Sequence, residues 1–116
     1  MRTFFCISIG LLLTACGPSI DSDAAKAGEL VFQRNCAACH VTEIAPTLNG
    51  VMGRRAGSLE EFAYSEAMKQ SGIVWDKETV AAFLQDPNAV VEGTNMAFAG
   101  LNEEEANNVA EYLRSQ

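Results

Sequence analysis

The chain has 116 residues, which allows one domain at most, with some residues left over for a targeting segment. Its 8 basic residues are outnumbered by 15 acidic ones, giving a formal net charge of −7 at pH 7. So acidic a chain argues against nucleic acid as a partner and against electrostatic attraction to anionic lipid. We therefore expect no nucleic-acid partner, and we expect any hold on a membrane to come from an attached lipid.

The first 16 residues, MRTFFCISIGLLLTAC, have the pattern of an export signal. Arg2 precedes an apolar run over 4–13 that is too short to span a bilayer comfortably as a helix. The ending LTAC resembles the lipobox of bacterial lipoproteins, which implies acylation of Cys16. An ordinary secretory signal cut nearby is the alternative. On the lipoprotein hypothesis the chain divides into a signal peptide, a lipid-anchored tether and a domain, at residues 1–15, 16–22 and 23–116.

Loss of the signal would change both the charge and the cysteine count. Without Arg2, 7 basic residues remain against all 15 acidic ones, a formal charge of about −8. Cys6 leaves with the signal and Cys16 carries lipid, so Cys36 and Cys39 are the two cysteines left. An exported domain with one close cysteine pair has no disulfide framework.

The remaining chain has helix signals and no convincing strand alternation. A first helix is predicted through AAKAGELVFQRN, capped by Ser22 or Asp23, and a short second one within EFAYSEAMKQSG. A third is predicted from Asp76, ending at Pro87. The last is predicted from Asn102, where Glu105 three residues on gives a capping-box pattern.

Two segments are predicted to be loops, at 41–58 and 87–101. Loops of this length inside a small domain normally need something to pack against. Three or four short helices provide little apolar surface for them. A large apolar cofactor would supply it.

The sequence NCAACH at 35–40 holds the cysteine pair and the chain's single histidine. Zinc is disfavoured because a structural site needs four ligands, and Cys36, Cys39 and His40 have no fourth Cys or His to join them. A thiol–disulfide enzyme usually places its pair at a helix start among strands, whereas this pair follows a helix. Cys-x-x-Cys-His is the attachment signature of c-type haem, in which two thioethers fix the group and the histidine ligates iron.

A haem ligated by His40 needs its sixth ligand from elsewhere in the chain. Met52, Met68 and Met96 are the methionines that remain after the signal, and each has core packing as its alternative role. Met96 lies in the aperiodic loop after Pro87, where backbone can wrap round a flat cofactor. We therefore favour Met96.

Most of residues 28–113 resembles a class I c-type cytochrome, similar to bacterial and mitochondrial cytochromes c. The matching pieces, in family order, are GELVFQRNCAACH, APTLNGVMGRRAG, FAYSEAMKQSGIVW, FLQDPNAVVEGTNMAFAG and NVAEYL. The resemblance implies an all-α fold of three to five short helices around one covalently attached haem c, with the N- and C-terminal helices packed crosswise. Gly28 and Phe32 would meet Val109 and Tyr112 at that crossing.

The resemblance also implies roles for individual residues. Cys36 and Cys39 would anchor the haem, while His40 and Met96 would be its iron ligands. The Pro46 carbonyl would accept a hydrogen bond from the His40 ring. The family's donors to the haem propionates fall on Arg54, Tyr64 and Trp75.

The sequence departs from the family pattern at two places. Phe83 stands where a tyrosine hydroxyl often bonds the methionine sulfur. The lysines that usually surround the haem edge are missing, and Asn95 and Glu92 flank Met96 instead. Docking on a strongly acidic partner is therefore not expected.

The expected function is single-electron transfer, without enzyme activity, between membrane-bound respiratory or photosynthetic complexes. We expect a monomer held by Cys16 on the periplasmic side of a bacterial membrane. The sequence does not decide between the inner and the outer membrane. The alternatives are a fixed electron-entry subunit of a terminal oxidase or reductase, or a haem peroxidase or sensor in which Met96 dissociates.

Overall fold

A computed structural model describes residues 19–116, so the predicted signal peptide and Cys16 lie outside the described residues. The described part of the chain contains helices and one isolated antiparallel bridge, between Arg55 and Val74, but no strand. The predicted all-α class is confirmed. The helical segments are α1 (Ser22–Asn35), α2 (Ala37–His40), α3 (Glu66–Gln70), α4 (Lys77–Gln85), α5 (Pro87–Val90) and α6 (Glu103–Arg114). None of these described helices has the length and apolar character needed to cross a bilayer.

The helices begin at side chains that satisfy their free N–H groups. Asp21 caps α1, in place of the predicted Ser22 or Asp23. Its carboxylate accepts from the N–H groups of both Asp23 and Ala24. The predicted starts of α4 and α6 are confirmed. Asp76 forms a reciprocal capping box with Thr79, and the Asn102 side chain accepts from the Glu105 N–H at 2.8 Å.

Pro87 ends α4 as predicted, but it also begins a further helical turn. Proline suits the first position of a helix because its missing N–H has no partner there anyway. The Asp86 side chain accepts from the Ala89 N–H at 3.2 Å and so caps this turn. The predicted loop after Pro87 therefore starts with the four-residue helix α5 and becomes irregular only from Val91.

α1 and α6 pack directly against each other, as the sequence predicts. A Cβ on Gly28 would lie 1.9 Å from the carbonyl oxygen of Asn108, so only glycine allows the two backbones to come this close. The rings of Phe32 and Tyr112 meet nearby at 5.3 Å, and Val109 is buried. This contact fixes the direction of α1, at whose C-terminal end Cys36 lies.

Candidate functional site

A single cavity of about 380 Å³ brings the predicted site residues together. All eight of those within the described chain line it, namely Cys36, Cys39, His40, Pro46, Arg54, Tyr64, Trp75 and Met96. The two predicted loops, at 41–58 and 87–101, both contribute residues to its walls although they are far apart in the sequence. Cys16 lies outside the described residues.

One helical turn sets the geometry of the cysteine–histidine segment. Cys36 ends α1, and its carbonyl oxygen accepts from the N–H groups of Cys39 and His40 at 3.2 and 3.0 Å. This turn directs all three side chains to the same cavity, Cys36 buried and Cys39 exposed at its edge. Burial, and then the neighbouring Cys39, raise the pKa of the Cys36 thiol from 9.0 to about 11. Because a redox nucleophile needs a lowered pKa, this thiol is poorly suited to disulfide exchange.

The His40 ring is oriented by the predicted proline carbonyl. Nδ1 of His40 lies 2.7 Å from the Pro46 oxygen. A carbonyl can only accept, so this bond requires the proton on Nδ1 and leaves the lone pair of Nε2 free. A histidine held in this way is a metal ligand with a fixed tautomer and ring direction.

Two of the three candidate methionines border the cavity. Met96 and Met68 both line it, whereas Met52 packs against the core beside it. The Met96 loop is attached to α4 by a bond from the Leu101 N–H to the Leu84 carbonyl at 2.8 Å. The choice of Met96 over Met68 as a ligand stays a prediction.

Two of the three expected propionate donors, Arg54 and Trp75, are joined by a backbone hydrogen bond. Arg54 donates to the carbonyl oxygens of Thr47 and Asn49, at 2.7 and 3.2 Å, and so braces the loop that carries Pro46. The backbone N–H of Trp75 donates to the backbone carbonyl of Arg54 at 3.0 Å, and this bond places the two residues side by side. Tyr64 packs on Phe62 with ring centroids 5.0 Å apart.

Arg55 also lines the cavity, although it was not among the predicted site residues. The signal available for it was its place directly after Arg54, in the fragment GRRAG. Its backbone bridge to Val74 places it beside the segment that carries Trp75. Two cationic side chains, Arg54 and Arg55, therefore line the cavity.

Four neutral residues are exposed at the cavity. Asn35, Ile44, Asn95 and Ala97 line it, and Ile44 is 71% exposed. None of these four carries a formal charge, whereas Arg55 is a charged residue that is both exposed and part of the lining. We refer to these four residues as the mouth.

The donor set and the lining of the cavity fit an apolar group with an anionic edge. Its walls are mainly apolar, including Val80, Phe83, Leu84 and Leu113, while Arg54 and Arg55 would interact with the anionic edge. Two thiols and one imidazole with a free Nε2 suit covalent attachment of haem and ligation of its iron. Within residues 19–116, no group of three or more His, Cys, Asp or Glu is placed to hold a metal ion, which argues against the zinc hypothesis.

Comparisons with known proteins point to one family. The family profile described as Cytochrome c matches residues 25–116. The chain is 41% identical to cytochrome c2 of Blastochloris viridis over 101 residues, covering 82% of this chain and 78% of that protein. It is 47% identical to cytochrome c of Tetrahymena pyriformis over 97 residues, covering 78% and 87%. The solved structure of cytochrome cH from Methylobacterium extorquens superposes with a TM-score of 0.73 at 38% identity, covering 79% of this chain and 98% of that one.

Proposed function

The chain belongs to the cytochrome c family, and from that premise we propose that it carries electrons between membrane-bound complexes while a lipid on Cys16 holds it at the membrane. It is a class I c-type cytochrome with one covalently attached haem c, and it is an electron carrier rather than an enzyme. The family match covers nearly all of the described residues.

The observation that carries the proposal is the meeting of eight predicted site residues around one cavity. When bound, the haem supplies a one-electron redox couple. Cys36 and Cys39 would hold it by thioethers, and His40, oriented by Pro46, would present Nε2 to its iron. Arg54, Tyr64 and Trp75 would stabilise the propionates, which are costly to bury without donors.

Met96 would be the second axial ligand. A thioether there would raise the reduction potential, and it would leave no open position for a substrate or a gas. The carrier function therefore depends on a methionine that stays bound. In the peroxidase or sensor alternative, Met96 would dissociate.

The proposed partners are membrane-bound donor and acceptor complexes. The four mouth residues suit docking through apolar and neutral polar contact, and Arg55 is the one exposed charged residue in the described part of the cavity lining, too little for strong attraction to an acidic surface. A lipidated Cys16 would place the domain on the periplasmic side of a bacterial membrane. We propose that the protein is a monomer there. Its two or more acyl chains would suffice for stable anchoring.

A fixed subunit of one oxidase or reductase is the second candidate, because a tether this short also suits permanent attachment. From Cys16 to Ser22 the chain spans at most about 20 Å. Extraction in a mild detergent separates the two hypotheses. A shuttle leaves the complexes during purification, whereas a fixed subunit stays with one complex in constant proportion.

The methionine ligand is tested by Met96→Ala, with Met68→Ala as the matched control from the same cavity. We expect the oxidised wild-type haem to be six-coordinate and to show a sulfur-to-iron charge-transfer band. Met96→Ala should abolish the band and lower the reduction potential, while Met68→Ala should keep the band. Loss of the band in Met68→Ala alone would move the ligand to Met68. A five-coordinate wild-type haem would contradict the carrier proposal.

A further inference from the structure

A buried carboxylate connects the beginning of the described chain to its last helix. Glu111 on α6 is 1% exposed, and its Oε1 accepts from the backbone N–H of Asp21 at 2.7 Å. The Arg114 guanidinium donates to both oxygens of this carboxylate, at 2.6 and 3.2 Å. Arg114 also donates to the carbonyl oxygen of Ser19 at 2.9 Å. Glu111 and Arg114 thus hold residues 19–21 at two backbone atoms, and we call this arrangement the clamp.

Lys77 is a second cationic partner of Glu111, and it does not touch the segment that the clamp holds. Its Nζ lies 3.3 Å from Oε2 of Glu111, and within the described residues it makes no hydrogen bond to 19–21. The hydrogen bond from Arg114 lowers the pKa of the Glu111 carboxyl, whereas burial raises it. The hydrogen bonds have the larger effect, so the pKa falls from 4.5 to about 2. A buried carboxylate that stays ionised needs its partners, so the positions of Arg114 and the Asp21 N–H are strongly specified.

The clamp lies where the chain leads towards the proposed lipid. Ser19 is three positions after Cys16, a span of at most about 11 Å. Because 19–21 are fixed to α6, the domain cannot use them as additional free tether. The free part of the proposed tether is therefore about half as long as the span from Cys16 to Ser22.

The mouth of the cavity lies near the other end of α1. The helix runs for 14 residues from its cap at Asp21 to Cys36, a length of about 21 Å. Asn35, a mouth residue, is its last residue. The clamp and the mouth are consequently separated by nearly the full length of the helix.

We propose that Glu111 and Arg114 orient the anchored domain, so that the surface around the start of α1 and the end of α6 rests on lipid headgroups and the mouth stays in water. The proposal rests on the proposed lipid at Cys16. Ile20 beside the clamp is 46% exposed and suits the boundary between headgroups and acyl chains. The exposed Asp21 and Asp23 oppose attraction to anionic lipid, so the surface fits zwitterionic headgroups.

Linear dichroism of the haem absorption tests the proposal directly. The full-length, lipidated, haem-loaded protein is placed in oriented phosphatidylcholine bilayers, where a preferred orientation of the domain gives a dichroic signal. We expect a clear signal from the wild type and its loss in Arg114→Met. Lys77→Met is the matched control, because it removes a partner of the same carboxylate but no contact to 19–21, and it should keep the signal.

Hydrogen exchange of the Asp21 amide gives a second measurement that does not depend on the membrane. Glu111→Leu removes the acceptor of this amide, so its exchange should become about tenfold faster or more. Lys77→Met should leave the rate unchanged. If Glu111→Leu does not fold, Arg114→Met still tests the clamp through the dichroism.

Three outcomes would overturn the proposal. The first is a lipidated wild type that gives no dichroism. This result would contradict the orienting role of Glu111 and Arg114 but not the proposed lipid anchor. The second is equal loss of dichroism in Arg114→Met and Lys77→Met, which would make the network merely stabilising. The third is a mature protein whose mass shows no lipid and which washes off the bilayer, and this would overturn the anchor as well.

Discussion

Substitution of Gly28 by alanine tests the contact that fixes the direction of α1. The new Cβ would lie 1.9 Å from the Asn108 carbonyl oxygen and 2.9 Å from the Val109 nitrogen. Since real Cβ atoms essentially never approach closer than 3.0 Å, α1 and α6 would have to separate by about 1.1 Å. The opposing atoms are backbone, so no side-chain rotation can relieve the clash.

Two effects of opposite sign decide the outcome. Alanine is favoured over glycine within a helix by about 1 kcal/mol. Overpacking typically costs about 1–3 kcal/mol, and a fixed backbone neighbour places this site at the upper end or beyond. We expect a net loss of about 2 kcal/mol, which corresponds to a melting temperature roughly 8–16 °C lower for a domain of this size.

The measurement is thermal unfolding of the haem-loaded protein, followed by far-ultraviolet circular dichroism and by haem absorbance. Gly50→Ala is the matched control, because nothing lies within 4 Å of its added Cβ and only the left-handed backbone, at φ +68°, opposes the change. That change should cost about 1–2 kcal/mol. A Gly28→Ala melting temperature equal to or above that of the wild type would refute the steric reasoning.

The mouth, the α4 cap and the clamp each predict a further effect. Because the mouth is uncharged, the rate of electron transfer to the membrane-bound acceptor should vary little with ionic strength, and a steep fall as salt is added would show docking on an acidic surface. Thr79→Ala breaks the capping box with Asp76 and should lower the free energy of unfolding in denaturant by about 1 kcal/mol, whereas Thr79→Ser should keep most of it. The pKa of Glu111 is lowered to about 2 from 4.5, so its stabilising effect is complete above pH 4.5 and is lost as the pH falls towards 2. The stability difference between wild type and Glu111→Gln should therefore shrink over that range, and a constant difference would contradict the assignment.

The features that the sequence predicted correctly depend on local chemistry. Caps at Asp76 and Asn102 follow from short polar side chains just before helical periodicity, and both were found in place. The attachment segment is equally local, because one helical turn sets the spacing of Cys36, Cys39 and His40. The helix α5 escaped prediction because four residues are too few to show a helical period.

The features that were missed depend on contacts between distant parts of the chain. Glu111 is buried on α6 between Ala110 and Tyr112, and the sequence predicts no role for it. Its burial becomes favourable only when α1 brings the Asp21 N–H within 2.7 Å and α4 brings Lys77 near. Nothing within the α6 sequence signals those partners, since the first is 90 residues away. Similarly, the sequence favours Met96, and only the fold shows that Met68 lines the same cavity.

Electron transfer to a membrane-bound partner requires frequent encounter and a correctly oriented domain, and the proposed lipid and the mouth bear on both requirements. Attraction between charged surfaces can raise the rate of encounter by about 10–10³-fold, and the neutral mouth residues give up most of that gain. The proposed short tether would replace it, because confinement near the partner produces an effective concentration that can reach about the millimolar range. Confinement alone does not present the right surface, however, since a freely rotating domain would turn its mouth towards lipid for part of the time. The bonds of Glu111 and Arg114 to residues 19–21 would restrict that freedom by shortening the proposed tether, so that anchoring and orientation would act together on the same face of the molecule.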